Sequence, residues 1–148
     1  MSSDCQNVSF DVYGEPKPQG SMRAFMPKGC KRPILTSDNA KLKPWRQEVT
    51  GAAVARFSQG GIVIAERPEA IEVFVKFFFP KPKSVKKSIV NKTTKPDVDK
   101  LARGILDSLT GIAYEDDSQV TALHVYKFFD PQPRAEIRVV FLDRKGVA

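Results

Sequence analysis

The stretch Lys95-Pro96-Asp97-Val98-Asp99-Lys100-Leu101-Ala102-Arg103-Gly104-Ile105-Leu106-Asp107-Ser108-Leu109-Thr110-Gly111 reads as one amphipathic helix with acids at its entrance. Pro96 suits a first helical turn, where its missing N–H has no partner to lose. Thr94 and Asp97 stand three apart in a capping-box-like pattern, and Thr110-Gly111 supplies a stop. Leu101, Ile105 and Leu109 recur every four residues and make an apolar face, with Ala102 and Leu106 beside it. Asp99, Arg103 and Asp107 share the opposite side. A helix over Pro96 to Leu109 therefore buries one face and presents Asp99 and Arg103 to a cleft.

A second acidic cluster, Glu115-Asp116-Asp117, follows after a short span and precedes a strand starting near Gln119. The chain can turn back there and bring this cluster near the helix. Adjacent carboxylates repel one another unless solvated or bridged by a cation. Two readings stand. Acids in a first turn favour the helix dipole by about 0.3–1 kcal/mol each, and the second cluster is then a polar turn. Alternatively, one or two of the later acids join Asp97 and Asp99 around one or two metal ions. Carboxylates are hard oxygen ligands of the kind that hold Mg²⁺ or Mn²⁺.

Outward from this centre, Lys81 to Lys95 is a loop with Lys81, Lys83, Lys86, Lys87, Lys92 and Lys95, leading directly into Asp97. Before it, Ala70 to Phe79 alternates as a strand, with Phe74 and Phe78 on the face opposite Ile71, Val73, Val75, Phe77 and Phe79, so both faces are partly buried. After it, Gln119 to Phe129 and Arg134 to Leu142 are strands joined at Asp130-Pro131-Gln132-Pro133, a hairpin on this pattern. Val8 to Tyr13 is a further strand, Gly14 to Gly20 a break, and Pro44 to Phe57 a helix closed by Gly60-Gly61. Ser21 to Lys43 reads as a basic loop, with Arg23, Lys28, Lys31 and Arg32 and a possible short strand. The order β–α–β–α–β–β predicts an α+β domain over residues 1–148, a small mixed sheet with two main helices. Its basic loops fall at about 21–43 and 80–95.

The net charge is +7 on 148 residues, with 41% apolar and 28% charged residues. That composition supports one core and favours an anionic partner, above all nucleic acid. A basic body with an acidic pocket is what a metal-dependent enzyme acting on phosphodiesters requires. Cys5 and Cys30 are far apart and, with the single His124, build no zinc framework. His124 sits in an alternating strand and reads as a structural histidine. No Walker-type glycine loop points to ATP. The start Met1-Ser2-Ser3-Asp4 lacks a signal-peptide pattern, and Val73 to Phe79 is far too short to span a membrane. The expectation is a reduced, cytoplasmic protein.

Taken together, Lys95 to Leu101, Leu106-Asp107-Ser108-Leu109, Gly111 and Asp116-Asp117-Ser118-Gln119-Val120 resemble the RusA family of Holliday junction resolvases. Gly14-Glu15-Pro16-Lys17-Pro18-Gln19-Gly20 is similar to that family's opening turn, so the motifs cover most of the chain in order. The resemblance implies a small homodimeric endonuclease of bacteria or their phages and prophages, dependent on Mg²⁺ or Mn²⁺, that cuts four-way DNA junctions by paired symmetric incisions. It implies that Asp97, Asp99 and Asp117 are catalytic and hold metal, with Asp116 beside them. Arg103 stands where the family typically has a catalytic lysine, and Lys100 where an Asn is usual. An Arg can clamp a phosphate bidentately but does not readily release a proton, and Lys100 is the neighbouring ammonium. The DNA contacts would come from Lys81, Lys83, Lys86, Lys87, Lys92 and Lys95, with Arg23, Lys31 and Arg32; Phe25 among the latter reads as a core or surface aromatic, with a wedge at the junction centre as the alternative.

Two other classes are open on the sequence. Pro96-Asp97 with Glu136-Ile137-Arg138 resembles the restriction-type nuclease pattern, although there the acid belongs on a strand end. A non-catalytic DNA-binding protein with a structural cation would show the same charge. Metal-dependent cleavage separates it from an enzyme.

Overall fold

The computed structural model describes residues 5–19, 22–25, 34–37 and 42–146. Its sheet is built around the alternating run Ile71-Glu72-Val73-Phe74-Val75-Lys76-Phe77-Phe78-Phe79. Strand β1 spans Cys5–Tyr13, β2 Met22–Phe25, β3 Ile34–Ser37, β4 Ile71–Phe79, β5 Val120–Phe129 and β6 Arg134–Lys145, with helices α1 over Leu42–Gly60 and α2 over Val98–Leu109. The main sheet has the order β1-β6-β4-β5, and β2 and β3 form a separate two-stranded ribbon. β4 pairs antiparallel with β6 and parallel with β5. Parallel neighbours need a long crossover, and α2 lies within it. The architecture is α+β with a mixed sheet and two helices, as the sequence predicts.

β5 and β6, expected as a hairpin, are not neighbours, because β4 lies between them. The link Asp130 to Pro133 instead passes the end of β4. The Asp130 N–H donates to Phe79 O at 2.9 Å, and Arg134 Nη1 donates to Asp130 Oδ1 and Gln132 O. Pro131 and Pro133 bring no N–H that could extend a hairpin ladder. The basic stretch 21–43 contains the β2–β3 ribbon, and α1 begins earlier and ends later than the predicted Pro44–Phe57.

Period sorts the side chains. Ile71, Val73, Val75, Phe77 and Phe79 face the helices, in register with Ala135, Ile137, Val139 and Phe141 of β6. Trp45, Val49, Ala53 and Phe57 of α1 and Leu101, Ile105 and Leu109 of α2 close the same cluster. Ile105 is fully buried, so Ile105→Ala would cost about 2–5 kcal/mol and loosen α2 from the sheet.

Among the described residues the other sheet face carries no helix. Phe74 lies between Arg138, 4.2 Å from its ring centroid, and His124, stacked at 4.3 Å. Phe78 lies under Arg134 at 3.9 Å and near Phe128. His124 Nε2 meets Glu72 Oε2 at 2.8 Å, the satisfied structural histidine expected. Lys76, Arg134 and Arg138 on this face are matched by Glu72, Asp11 and Glu136, so the basic excess of the chain is not concentrated there. Glu136 and Arg138 point away from α2, which removes the geometric basis for pairing them with Asp97 in a restriction-type site.

Candidate metal and phosphodiester site

The approach to α2 is tied to the outer edge of β5. The Phe129 N–H donates to Val90 O at 2.8 Å and the Lys92 N–H to Lys127 O at 3.2 Å. Asn91 bridges antiparallel to Phe128. Lys127 Nζ then donates to Thr94 O and to Pro96 O, each at 2.8 Å. Asp97 is the N-cap of α2, with extended backbone (φ −74°, ψ 144°), yet its side chain makes no cap hydrogen bond. The Thr94–Asp97 box is absent too, since Thr94 Oγ1 accepts from Lys92 Nζ at 2.8 Å. Asp97 is 53% exposed, 3.9 Å from Lys100 Nζ. Asp99 and Arg103 are exposed and make no side-chain ion pair among the described residues. The N-terminal turn docks here: the Gln19 N–H donates to Lys100 O at 3.0 Å, and Gln19 Oε1 is buried with no partner among the described residues. The two stretches that carried the resemblance thus meet in space.

The later acids are held differently. Tyr114 is fully buried and its hydroxyl donates to Leu106 O at 2.8 Å, fixing the turn after α2 against the helix. Burial pushes the Tyr114 phenol far up, and the charges of Asp117, Asp107 and Asp116 push it further. Buried Gln119 anchors the acidic turn: its Nε2 donates to Ala65 O at 3.2 Å and Glu69 O at 3.1 Å, and its Oε1 accepts the Asp116 N–H at 3.0 Å. Asp116 closes a capping box over the short 3₁₀ turn Asp117–Gln119 by accepting the Ser118 N–H. Hydrogen bonds from Ser118, aided by Arg67 at 3.5 Å, hold its carboxyl below the usual carboxylate range. Asp117 is exposed at the start of that turn.

Asp97 and Asp99 therefore open α2, while Asp116 and Asp117 lie beside its second half, near Leu106. Among the described residues no group of three or more Asp, Glu, His or Cys side chains stands close enough to hold a metal ion. The donors nonetheless fit one in kind. Asp97, Asp99 and Asp117 are exposed hard-oxygen groups not committed to caps. Mg²⁺ commonly takes only one or two protein carboxylates, with waters and substrate phosphates completing its shell.

Residues 14–140 match the family described as Endodeoxyribonuclease RusA. The chain belongs to the RusA family. It is also 38% identical over 151 residues to the uncharacterized protein YqaN of Bacillus subtilis (strain 168), covering 92% of this chain and 96% of that one. A RusA-family chain is an endodeoxyribonuclease by descent, and DNA is the polyanion that its charge calls for. The match spans both the Gly14–Gln19 turn and the two acidic segments.

The structure divides the lysines that precede the site. Lys81 Nζ donates to Lys86 O and Lys87 O, holding the loop together. Lys92 lies over the Phe79 and Phe129 rings, and burial, then the charge of Lys127, lowers its pKa. These two are internal supports. Lys83, Lys86, Lys87 and Lys95 are exposed. Arg23 falls in β2 by its backbone, and Lys28, Lys31 and Arg32 lie outside the described residues. Gln19, Tyr114, Gln119 and Lys127 escaped the sequence reading as site supports. Gln19 and Gln119 left a trace only as members of the motifs that carry the resemblance, without a role of their own. Among the described residues no helix is long and apolar enough to cross a membrane.

Proposed function

We propose that this RusA-family chain is a Mg²⁺- or Mn²⁺-dependent endonuclease that resolves four-way DNA junctions. The observation that carries the reading is the uncapped Asp97. An aspartate at an N-cap is ordinarily explained by its hydrogen bond to the first-turn amides, and here that bond is absent. Asp116 shows the contrast, since its carboxylate does cap. Asp97, Asp99 and Asp117 are thus the carboxylates available to a cation, with Asp116 shaping the turn.

A bound divalent ion would supply water activation and neutralisation of developing charge. Asp97 and Asp99 at the entrance of α2, and Asp117 beside its second half, would hold one or two such ions. Arg103, one turn beyond Asp99, would grip the scissile phosphate through its planar fork, with Lys100 beside it. Water attacks phosphorus in line, the P–O3′ bond breaks, and the products carry a 5′ phosphate and a 3′ hydroxyl. Lys83, Lys86, Lys87 and Lys95 would track the flanking backbone. A junction offers two symmetry-related phosphodiesters, and a C₂ homodimer supplies two sites of matching symmetry. Such a protein works where phage or chromosomal DNA recombines, in the bacterial cytoplasm.

The test is cleavage of a four-way junction with Mg²⁺, against duplex and single-stranded controls, with sedimentation of the free protein. Paired incisions by a dimer on the junction alone support the reading. Binding without cleavage in either metal would make the protein a non-catalytic DNA binder.

A further inference from the structure

The ammonium of Lys127 has an unusual assignment for a lysine in a strand. Its side chain lies on the helix-facing side of the sheet, in register with Phe77. It reaches past the edge of β5 to two main-chain carbonyls, Thr94 O and Pro96 O, both at 2.8 Å. Charge-assisted bonds of this length are the strong class. Pro96 O belongs to the peptide unit whose nitrogen is that of Asp97. Holding that plane fixes the peptide before the Asp97 Cα, while the Leu101 N–H, donating to Asp97 O at 3.1 Å, holds the one after it; together they set where the Asp97 Cα–Cβ bond leaves the chain. The Asp97 side chain adds no cap bond of its own, and its one ion-pair neighbour among the described residues, Lys100 Nζ, stands 3.9 Å away. The segment is also held from behind by the Lys92 N–H on Lys127 O, so one residue of β5 grips the approach with both its main chain and its side chain.

We propose that Lys127 is a positioning residue for Asp97, which orients this carboxylate by clamping the Thr94 and Pro96 carbonyls. The inference rests on the reading of Asp97 as a metal-holding group. Lys127 itself touches neither DNA nor cation in this scheme. Its removal should weaken metal use and leave junction affinity alone.

The experiment compares wild type with Lys127→Met, Lys127→Gln and Lys127→Arg. Amide hydrogen exchange over residues 92–98 is measured in metal-free buffer, junction affinity in EDTA, and single-turnover junction cleavage against Mn²⁺ concentration. Lys127→Met should speed exchange in that segment by about tenfold. It should raise the Mn²⁺ needed for half-maximal cleavage by about tenfold, as loss of a ligand-orienting contact does, with junction affinity unchanged. Lys127→Arg, which still donates to two carbonyls, should recover most of both losses. Lys127→Gln, which keeps an N–H donor, should fall between and serves if the Met variant does not fold. Wild-type exchange and Mn²⁺ demand in Lys127→Met and Lys127→Gln would overturn the proposal. So would a loss of junction affinity matching the loss of cleavage, which marks a phosphate contact. Asp97→Asn separates the two layers. If it is inactive while Lys127→Met needs no extra Mn²⁺, only the positioning role fails. If Asp97→Asn cleaves normally, the site reading fails and the positioning role with it.

Discussion

Gln119→Leu keeps the bulk of a buried side chain and removes its three hydrogen bonds, those to Ala65 O, Glu69 O and the Asp116 N–H. Ala65 O retains the Glu115 N–H at 3.2 Å. The groups orphaned are therefore Glu69 O and the Asp116 N–H. Each costs about 1–3 kcal/mol if water is excluded, and both sites are only partly buried, so the low end applies and the total is about 2–3 kcal/mol. A domain with an ordinary reserve of about 5–15 kcal/mol stays folded after that loss. At about 2–4 °C per kcal/mol for this size, the Tm falls by roughly 5–10 °C. The turn that presents Asp117 would lose its anchor on the Ala65–Glu69 segment, so cleavage should fall further than stability while junction binding persists. Urea unfolding followed by circular dichroism, paired with single-turnover cleavage and binding in EDTA, reads all three. An unchanged unfolding midpoint with wild-type cleavage would refute the role assigned to Gln119.

Neutralising Lys83, Lys86 and Lys87 to Gln should flatten the dependence of junction affinity on salt by up to about 0.9 in log–log slope per lost contact; an unchanged slope would make the loop a bystander. Arg103→Lys should keep substantial cleavage and Arg103→Ala lose most of it, since only the latter removes the charge beside Asp99; normal cutting by Arg103→Ala would leave Arg103 a solvated surface charge. Glu69 should make stability acid-sensitive: the hydrogen bond from Arg144, opposed by burial, holds its carboxyl below the ordinary 4.5. A depressed folded pKa stabilises above the unfolded value and is lost as pH falls through the folded one. Glu69→Gln should therefore cost about 1–3 kcal/mol at pH 7 and progressively less below pH 4.5, as urea midpoints at the two ends would show; an equal penalty at pH 7 and pH 3 would contradict it.

Local pattern carried the elements well. The four-residue spacing of Leu101, Ile105 and Leu109 is the buried face of α2, and Asp99 and Arg103 lie on its exposed side, as their spacing requires. The two-residue alternation of β4 placed Phe74 and Phe78 on the uncovered sheet face. Strand order was not legible, because a four-residue link rich in proline serves a hairpin or a passage over a neighbouring strand equally well, and only the long-range pairing of β4 with β6 decides. The capping state of Asp97 was not legible either. Thr94 and Asp97 have the right spacing for a box, but Lys92 takes the Thr94 hydroxyl and Lys127 takes the carbonyls that frame it. A lysine in an alternating strand signals only an exposed position, so Lys127 carried no mark of its role. The six-lysine loop read as uniform, yet Lys81 and Lys92 turn inward, where carbonyls and aromatic rings receive their charge. The nearness of the later acids to α2 was legible from the short connection. That they lie beside its second half rather than its entrance follows from Tyr114 docking on Leu106.

If Asp97, Asp99 and Asp117 hold divalent metal and the basic surface holds the DNA, substituting each aspartate with Asn, one at a time, must separate cleavage from binding. Cleavage of a four-way junction is then measured in Mg²⁺ and in Mn²⁺, and binding of the same junction in EDTA. All three variants should lose cleavage in both metals while binding the junction with wild-type affinity. Wild-type cleavage by all three, or a loss of cleavage matched by an equal loss of binding, would contradict this assignment.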